Sequence, residues 1–331
     1  MFRKKIAING LGRIGRLVLK IGLEKGLNIV AINDLTDTKT LAYLIKHDSV
    51  YGNYDRDVEY GEGFLKVNGK KIKVYAEKDP IDLPWYDLGV DVVLECTGFF
   101  TDRIGASKHL KSGAKKVLVS APCKGSEADI TIVLGVNDDK LKKEHQIISM
   151  ASCTTNCLAP VVKILNDSFG VRKGFMNTIH AYTSTQGIVD RPDKKLRRGR
   201  AAAVNIVPTT SGATTAVSQV IPEMEGKMNG LALRVPIVSG SIVDFTAELN
   251  TKVTREQVNA VFREAAKKKL KGVLEYSEEE LVSSDIIRNE HISIFSAVDT
   301  QVIGNSVKVL AWYDNEYGYS VKFVELAKKL K

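Results

Sequence analysis

The fold is decided by residues 5–15, KIAINGLGRIG, in which a short run rich in Ile, predicted to be a strand at Lys5–Asn9, leads directly into a glycine-rich turn. Apolar residues then recur at helical spacing over Arg13–Lys25, and a second β-branched run follows at Asn28–Asn33. Strand, turn, helix and strand in this order are typical of a βαβ unit in a parallel sheet. The first part of the chain is therefore predicted to be an α/β domain.

The glycines of this turn are spaced for a dinucleotide. Gly10 permits a tight turn, Gly12 lets the backbone approach a pyrophosphate, and Gly15 lets helix and strand pack closely. Asp34 follows nineteen residues after Gly15, where a carboxylate accepts hydrogen bonds from ribose hydroxyls and repels a 2′-phosphate. The alternative is a glycine-rich turn without a ligand, but the context of strand, turn, helix and acid favours an NAD site.

The predicted pattern of secondary structure changes near residue 151. Before it, strands are predicted at Val90–Cys96, Lys116–Ser120 and Ile130–Leu134, with a helix at Ile104–Ser112. After it, long alternating segments indicate a mixed or antiparallel sheet, packed by a helix over Thr254–Lys271 that Thr254 caps with Gln257 three residues on. The segments are Leu231–Val235, Ile242–Leu249 and Val307–Tyr313. The predicted fold class is α/β, with an N-terminal Rossmann-type parallel sheet domain and an α+β domain.

Composition restricts the class of protein further. With 331 residues, 44% hydrophobic and 26% charged, the chain is neither disordered nor fibrous, and no apolar run is long enough for a membrane span. Four cysteines are too few for a disulfide framework, which predicts reduced thiols and a cytoplasmic location. The net charge of +9 favours anionic partners without identifying them.

Residues 151–157, ASCTTNC, predict a reactive thiol. Ser152 is a good N-cap, which places Cys153 in the first turn of a helix, where the helix dipole lowers a thiol pKa and suits it to attack a carbonyl. Pro160 should kink this helix or delay its start. The alternative for Cys153 is a buried structural cysteine, which is the interpretation preferred for Cys157. No further ligand is spaced to make a metal site with them.

His180 is the candidate base among five histidines. It lies in a strand-like segment that ends in hydroxyl-rich residues, and a thiol nucleophile needs a proton acceptor. A single histidine is more often structural, and sequence alone does not place its ring beside Cys153.

Taken together, these motifs resemble those of the phosphorylating glyceraldehyde-3-phosphate dehydrogenases. The resemblance extends over essentially the whole chain, and the cysteine segment is its most specific part. It is carried by residues 9–16 (NGLGRIGR), 152–157 (SCTTNC), 196–198 (LRR), 208–213 (PTTSGA), 234–236 (RVP) and 312–316 (WYDNE).

The resemblance implies roles for individual residues. Cys153 is the nucleophile and His180 its base. The positions that hold inorganic phosphate are Ser152, Thr154, Arg198, Ser211 and Gly212, and those that hold the C3 phosphate of the substrate are Thr183 and Arg234. The positions around NAD are Gly10, Gly12, Arg13, Ile14, Gly15, Asp34, Lys78, Ser120 and Asn315.

The resemblance also implies an assembly and a reaction. It implies a homotetramer with an NAD-binding domain at 1–151, a catalytic domain at 152–314, and a C-terminal helix at 315–331 that folds back onto the first domain. Glyceraldehyde 3-phosphate is oxidised with NAD through a cysteine thioester, which inorganic phosphate converts to 1,3-bisphosphoglycerate. No metal, membrane or nucleic acid is required.

Two alternatives stay open at this stage. Erythrose-4-phosphate dehydrogenases have a similar cysteine segment, although Thr183 and residues 210–212 fit the glyceraldehyde enzyme better. A basic nucleic-acid-binding protein with a vestigial cofactor fold would explain the charge, but it would leave the thiol site unexplained. No aromatic residues interleave with the basic clusters, which lie at residues 194–200, 267–271 and 328–331.

One segment departs from the pattern of the family. Members usually carry Asn-Asp where this chain has Ser184-Thr185, and Leu-Pro-His-Lys-Asp where it has residues 191–195, RPDKK. The family uses this segment against the cofactor of a neighbouring subunit. We therefore expect Arg191 to permit weak use of NADP, while Asp34 keeps NAD preferred.

Overall fold

The structure is a computed structural model that describes residues 4–123 and 127–330. Their contacts divide into two compact units. The first unit contains residues 4–123, 127–132, 139–151 and 320–330, and the second contains residues 133–138 and 152–319.

The bounds of the regular elements are as follows. The helices are α1 (Arg13–Glu24), α2 (Thr38–Lys46), α3 (Trp85–Leu88), α4 (Arg103–Lys111), α5 (Cys153–Phe169), α6 (Ala213–Val220), α7 (Arg255–Lys267) and α8 (Tyr317–Lys329). The first strands are β1 (Lys5–Asn9), β2 (Asn28–Asn33), β3 (Val58–Gly61), β4 (Phe64–Val67), β5 (Lys70–Tyr75), β6 (Val92–Glu95), β7 (Lys116–Val119), β8 (Ile130–Thr131) and β9 (Ile147–Ser149). The later strands are β10 (Val171–Ala181), β11 (Val207–Thr210), β12 (Met228–Val235), β13 (Ser241–Leu249), β14 (Leu274–Ser277), β15 (Ser293–Ile303) and β16 (Ser306–Tyr313).

The sheet of the first unit is parallel except at one edge. Its order is β3-β4-β5-β2-β1-β6-β7-β9-β8, and within the described residues the antiparallel pairings are those of β4 with β3 and with β5. Its central strands are buried on both faces, as in α/β proteins. The carboxyl ends of β1, β2 and β6 therefore meet at one edge, where α/β folds place their ligands.

The sheet of the second unit is mixed. Its order is β11-β12-β10-β13-β16-β15-β14, with parallel pairing of β10 with β12 and of β14 with β15. One face packs against α5, α6 and α7 over a core in which the rings of Phe262 and Phe295 stack 3.8 Å apart. This sheet holds the carboxyl end of β10, where His180 lies.

The predicted fold class is confirmed, and the predicted bounds of β1 and β2 are matched. The helix expected at Arg13–Lys25 ends at Glu24, with Lys25 as its C-cap, and the one expected at Ile104–Ser112 is α4. The capping box of Thr254 and Gln257 is present, but α7 ends at Lys267 rather than Lys271.

Two other boundaries were predicted wrongly. The strand expected at Ile130–Leu134 ends at Thr131, because Val133 and the residues after it leave the sheet and join the core of the second unit. The C-terminal helix begins at Tyr317 rather than 315, since the Asp314 carboxylate accepts hydrogen bonds from the amides of Glu316 and Tyr317 before the first turn. Its expected end, Lys331, lies outside the described residues. Within residues 4–123 and 127–330, no helix has the length and apolarity that a membrane crossing requires.

Candidate active site

The first unit contains a cavity of about 540 Å³ at the carboxyl edge of its sheet. Gly10, Gly12, Asp34 and Lys78 line it, four of the residues predicted to bind cofactor. Gly10 has φ +91°, which a residue with a side chain rarely adopts. A Cβ on Gly15 would overlap the Gly10 carbonyl oxygen, whereas a Cβ on Gly12 would project into open space. The turn at Gly10 and the close packing at Gly15 are as predicted, and Gly12 leaves open space where a pyrophosphate is predicted to approach.

The cavity fits a dinucleotide in its charges as well. Helix α1 opens at its edge, and in the described part of the chain no side chain caps Gly12 and no acid lies in the first turn. The positive end of the helix is therefore available to a pyrophosphate. The Asp34 carboxylate accepts from the amides of Leu11 (2.7 Å) and Thr36 (2.9 Å), which fixes it at the mouth of the turn.

The remaining cofactor candidates lie at other places. Arg13 and Ile14 form the start of α1, and the Arg13 guanidinium is paired with Asp48 at 2.8 Å. Ser120 follows β7 and is not among the residues found to line the cavity. Asn315 belongs to the second unit, where its Oδ1 accepts from the Gly240 amide and the Ser241 hydroxyl.

The thiol and imidazole of the second unit are brought together. Ser152 caps α5 by accepting from the Thr155 amide, and Cys153 is the first residue of the helix. His180 is the penultimate residue of β10, and its Nε2 lies 3.5 Å from Cys153 Sγ. The structure thus places the predicted nucleophile beside the predicted base.

Hydrogen bonding fixes the tautomer of His180. Its Nδ1 lies 2.7 Å from the Ala181 carbonyl oxygen, which only accepts. Nδ1 must therefore carry the proton, and Nε2 presents its lone pair to the sulfur. Burial, reinforced by the Arg234 charge, lowers the pKa of His180 to about 3, so the ring is neutral and able to act as a base.

The expectation of a lowered thiol pKa was wrong for the free protein. Burial raises the pKa of Cys153, and this effect outweighs the opposing effects of Arg234 and of hydrogen bonding by Thr154. Burial thus disfavours the charged form of both the thiol and the imidazole in the free protein.

Pro160 does not delay the helix, contrary to one of the two outcomes predicted for it. Helix α5 starts at Cys153 and continues to Phe169 with Pro160 buried in its interior. The Ser152 cap and the burial of the helix face in the core hold the first turn despite the backbone hydrogen bond that proline removes. Cys157 is fully buried, as expected for a structural cysteine, and no cluster with metal-ligating composition occurs among the described residues.

Cationic groups surround this pair. Arg234 donates to the Ala181 carbonyl at 3.1 Å, while its buried Nε has no partner among the described residues. Arg198 donates from Nε to Thr209 Oγ1 at 2.9 Å, and burial, together with the Arg198 charge, lowers the pKa of Arg234. Two guanidinium groups close enough to interact favour anionic ligands at this place.

The other phosphate candidates lie on neighbouring segments. Ser211 and Gly212 precede α6, which no side chain of the described residues caps at Gly212. Thr183 follows β10, and its hydroxyl contacts that of Thr185 at 2.9 Å. Thr154 is nearly buried, with its hydroxyl bonded to Tyr313.

Sequence reasoning gave no role to Tyr313. Its hydroxyl lies 2.9 Å from Thr154 Oγ1 and 2.8 Å from Thr178 Oγ1, and its ring meets that of His180 edge to face. It joins the start of α5 to β10 and thereby fixes the distance between thiol and imidazole. Tyr313 lies within the quoted WYDNE motif, but nothing in its neighbours along the chain pointed to this contact.

Comparison with known proteins agrees with this geometry. Residues 4–103 match the family model of the glyceraldehyde 3-phosphate dehydrogenase NAD binding domain, and residues 152–315 match that of the C-terminal domain. The chain belongs to the glyceraldehyde-3-phosphate dehydrogenase family.

Similar proteins cover nearly the whole length of the chain. A glyceraldehyde-3-phosphate dehydrogenase of Geobacillus stearothermophilus is 54% identical over 98% of this chain and 97% of its own. Those of Thermotoga maritima (54%; 98% of each chain) and Borreliella burgdorferi (52%; 98% of this chain and 99% of its own) are comparable. The predicted resemblance, dehydrogenase activity and NAD cofactor are thereby confirmed, and neither alternative is favoured.

Proposed function

We propose that the second unit oxidises glyceraldehyde 3-phosphate on Cys153 and that the first unit holds NAD in its cavity. The observation that carries this proposal is the contact between Cys153 Sγ and His180 Nε2, with the tautomer set by Ala181. A thiol beside a neutral imidazole that has a free lone pair is suited to attack an aldehyde.

The proposed reaction moves one proton at a time through His180. The thiol proton passes to Nε2 as sulfur bonds to the aldehyde carbon, and from Nε2 to the aldehyde oxygen, which gives a hemithioacetal. NAD, when bound, supplies the acceptor for the hydride. His180 takes the hydroxyl proton as the hemithioacetal becomes a thioester. Inorganic phosphate then attacks the thioester carbon, the carbon–sulfur bond breaks to release 1,3-bisphosphoglycerate, and the freed thiolate of Cys153 takes the proton back from His180.

Two anion sites flank the thiol in this proposal. Arg234, with its unpartnered buried Nε, holds the C3 phosphate together with Thr183. Arg198, Ser211 and Gly212 hold the attacking phosphate at the uncapped start of α6, with Ser152 and Thr154 from the start of α5. Guanidinium groups and helix N-termini are the groups that proteins use for phosphate.

The cofactor contacts follow the same reasoning. Gly10, Gly12, Arg13, Ile14 and Gly15 receive the pyrophosphate, Asp34 the ribose, and Lys78 and Ser120 the adenosine side. Because Asn315 Oδ1 already accepts two hydrogen bonds, its NH₂ group is the part left to donate to the nicotinamide carboxamide.

We propose that the protein works as a homotetramer in the cytoplasm. Large apolar side chains are exposed within residues 183–200, the segment that the family uses against the cofactor of a neighbouring subunit, with Ile188 at 86% and Leu196 at 84%. All four thiols are unpaired, which suits a reducing compartment. Sedimentation should give four chains per particle, and Ile188→Lys should lower that number.

Steady-state kinetics test the assignment of substrate. Turnover should require inorganic phosphate and should be faster on glyceraldehyde 3-phosphate than on erythrose 4-phosphate. Faster, phosphate-independent oxidation of erythrose 4-phosphate would contradict the proposal.

A further inference from the structure

A row of buried polar side chains crosses the carboxyl edge of the parallel sheet. Asn33 ends β2, Asn9 ends β1 and Glu95 ends β6, and each is at most 5% exposed. His109, on α4, lies behind Glu95 and is fully buried. The reaction proposed above uses none of these four side chains.

Glu95 is the centre of the row. Its Oε2 accepts from Asn9 Nδ2 at 2.6 Å and from His109 Nε2 at 3.1 Å. Its Oε1 accepts from the Thr97 amide at 2.7 Å and from the Thr97 hydroxyl. Four donors therefore point at the two oxygens of Glu95. An ionised carboxylate can accept all four hydrogen bonds, whereas a protonated one would bring its own proton against one of the donors.

Trp85 fixes the proton of His109. The indole Nε1 only donates, and it lies 3.0 Å from His109 Nδ1. Nδ1 therefore accepts, so Nε2 carries the proton that points to Glu95. The ring is neutral, and the carboxylate is the single charge of the row.

The groups that Glu95 holds are walls of the dinucleotide cavity. Asn9, Asn33 and Thr97 all line it. Asn9 Oδ1 accepts from Asn33 Nδ2 at 2.8 Å, and Asn33 Oδ1 accepts from the Glu77 amide at 2.8 Å, which extends the row to another lining residue.

The same contacts constrain Gly10. A Cβ at Gly10 would lie 2.8 Å from Thr97 Cγ2, so this glycine passes Thr97 as closely as a backbone can. Glu95 fixes Asn9 on one side of Gly10 and Thr97 on the other. A displacement of either residue would move the turn that approaches the pyrophosphate.

We propose that Glu95, with its proton donor His109, is a positioning residue for the cofactor. Its carboxylate draws the ends of β1 and β6 together and so preforms the cavity before NAD binds. The inference rests on the proposed location of NAD in this cavity.

Glu95→Gln tests the charge while it keeps the shape. In glutamine, an NH₂ group replaces one of the two carboxylate oxygens. This group faces two donors that the oxygen had accepted from, so these buried donors lose their partner. Isothermal titration with NAD should show a Kd raised about 10- to 100-fold, because binding must then order the ends of β1 and β6 that the carboxylate holds in place beforehand. At saturating NAD, kcat should stay within about twofold, because no group of the row touches the reacting atoms.

Ile147→Ala is the matched control for destabilisation. Ile147 is buried in the same unit, in a cluster with Ala106, Val117 and Val119 rather than at the cavity. It should lower the melting temperature of the free protein and leave the Kd for NAD unchanged. If Glu95→Gln raised the Kd no more than this control, the inference would be wrong.

Two further variants separate the possible outcomes. Asp34→Leu should weaken NAD binding if the cavity is the cofactor site, and normal binding by this variant would overturn the proposed site itself. Should Glu95→Gln fail to fold, His109→Phe removes one donor and keeps a ring. It should raise the Kd for NAD by a smaller factor than predicted for Glu95→Gln, and an unchanged Kd would overturn the inference.

Discussion

At the scale of single residues, the chemistry depends on one proton between Cys153 and His180. The Ala181 carbonyl fixes the Nδ1–H tautomer, and burial keeps both groups neutral in the free protein. In the proposed reaction, the thiolate forms as the sulfur attacks, with His180 taking its proton. This differs from the expectation drawn from the helix N-terminus alone, because desolvation of the sulfur exceeds the favourable field.

His180→Asn should lower kcat by about 10²- to 10⁴-fold, the usual contribution of a positioned base. It should also slow alkylation of Cys153 by iodoacetamide near neutral pH, since no group then accepts the thiol proton. Steady-state kinetics and alkylation rates from acid to alkaline pH measure both effects. Rates equal to those of the unmodified protein would make His180 a purely structural residue.

The same residue gives a signed pH dependence of stability. Folding lowers the pKa of His180 from 6.5 to about 3. Between these pH values the ring is protonated in the unfolded chain and neutral in the folded chain. The contribution to the free energy of unfolding is present above pH 6.5 and is lost as pH falls towards 3. Denaturation at several pH values should show this slope, weakened in His180→Asn and kept in a variant of the exposed His47, His47→Asn.

Arg234→Leu should show whether Arg234 binds the C3 phosphate of the substrate or acts on the reacting aldehyde. Loss of hydrogen bonds to a charged group should lower kcat/KM on glyceraldehyde 3-phosphate by about 10- to 100-fold. Unphosphorylated glyceraldehyde, which has no C3 phosphate, should be affected much less. Equal losses on both substrates would contradict the assignment of Arg234 to that phosphate.

Among the elements, the turn before α1 contains two glycines with different roles. Gly15 allows close packing of helix and strand, whereas Gly12 leaves room for the cofactor. Gly15→Ala should reduce the free energy of unfolding by about 1–3 kcal/mol, because its Cβ would overlap the Gly10 carbonyl. Gly12→Ala meets no atom within 4 Å and has φ −64°, so the free protein should keep its stability while NAD binding weakens. Thermal melts and NAD titration of both variants check this, and a stability loss in Gly12→Ala would be contrary to it.

Local sequence patterns predicted where the helices and strands lie better than they predicted the contacts between them. The bounds of β1 and β2 and the caps at Ser152 and Thr254 follow from residues adjacent in sequence. The shortened β8 does not, because it depends on Val133 joining another core. Tyr313 and Glu95 were not predicted, since their partners are far away in the chain, such as Thr154 for Tyr313 and Asn9 for Glu95.

In the assembled protein, Arg191, where the chain departs from the family pattern, bears on the choice between NAD and NADP. Arg191 is exposed, with its guanidinium 4.0 Å from Asp193. In the proposed tetramer it is available to the 2′-phosphate of a cofactor on a neighbouring subunit. Arg191→Leu should lower kcat/KM for NADP and leave that for NAD nearly unchanged, with a smaller effect at high salt. An unchanged NADP to NAD ratio would make Arg191 a solvated surface charge.

The covalent role of Cys153 is tested most directly by trapping the acyl group. The whole protein is mixed with glyceraldehyde 3-phosphate and NAD without inorganic phosphate, quenched in acid, digested and analysed by peptide mass spectrometry. We predict a 3-phosphoglyceroyl group on the peptide that contains Cys153, lost when inorganic phosphate is added before the quench and absent in Cys153→Ser. NADH formation with no acyl group on this peptide, or with one on another residue, would contradict the account.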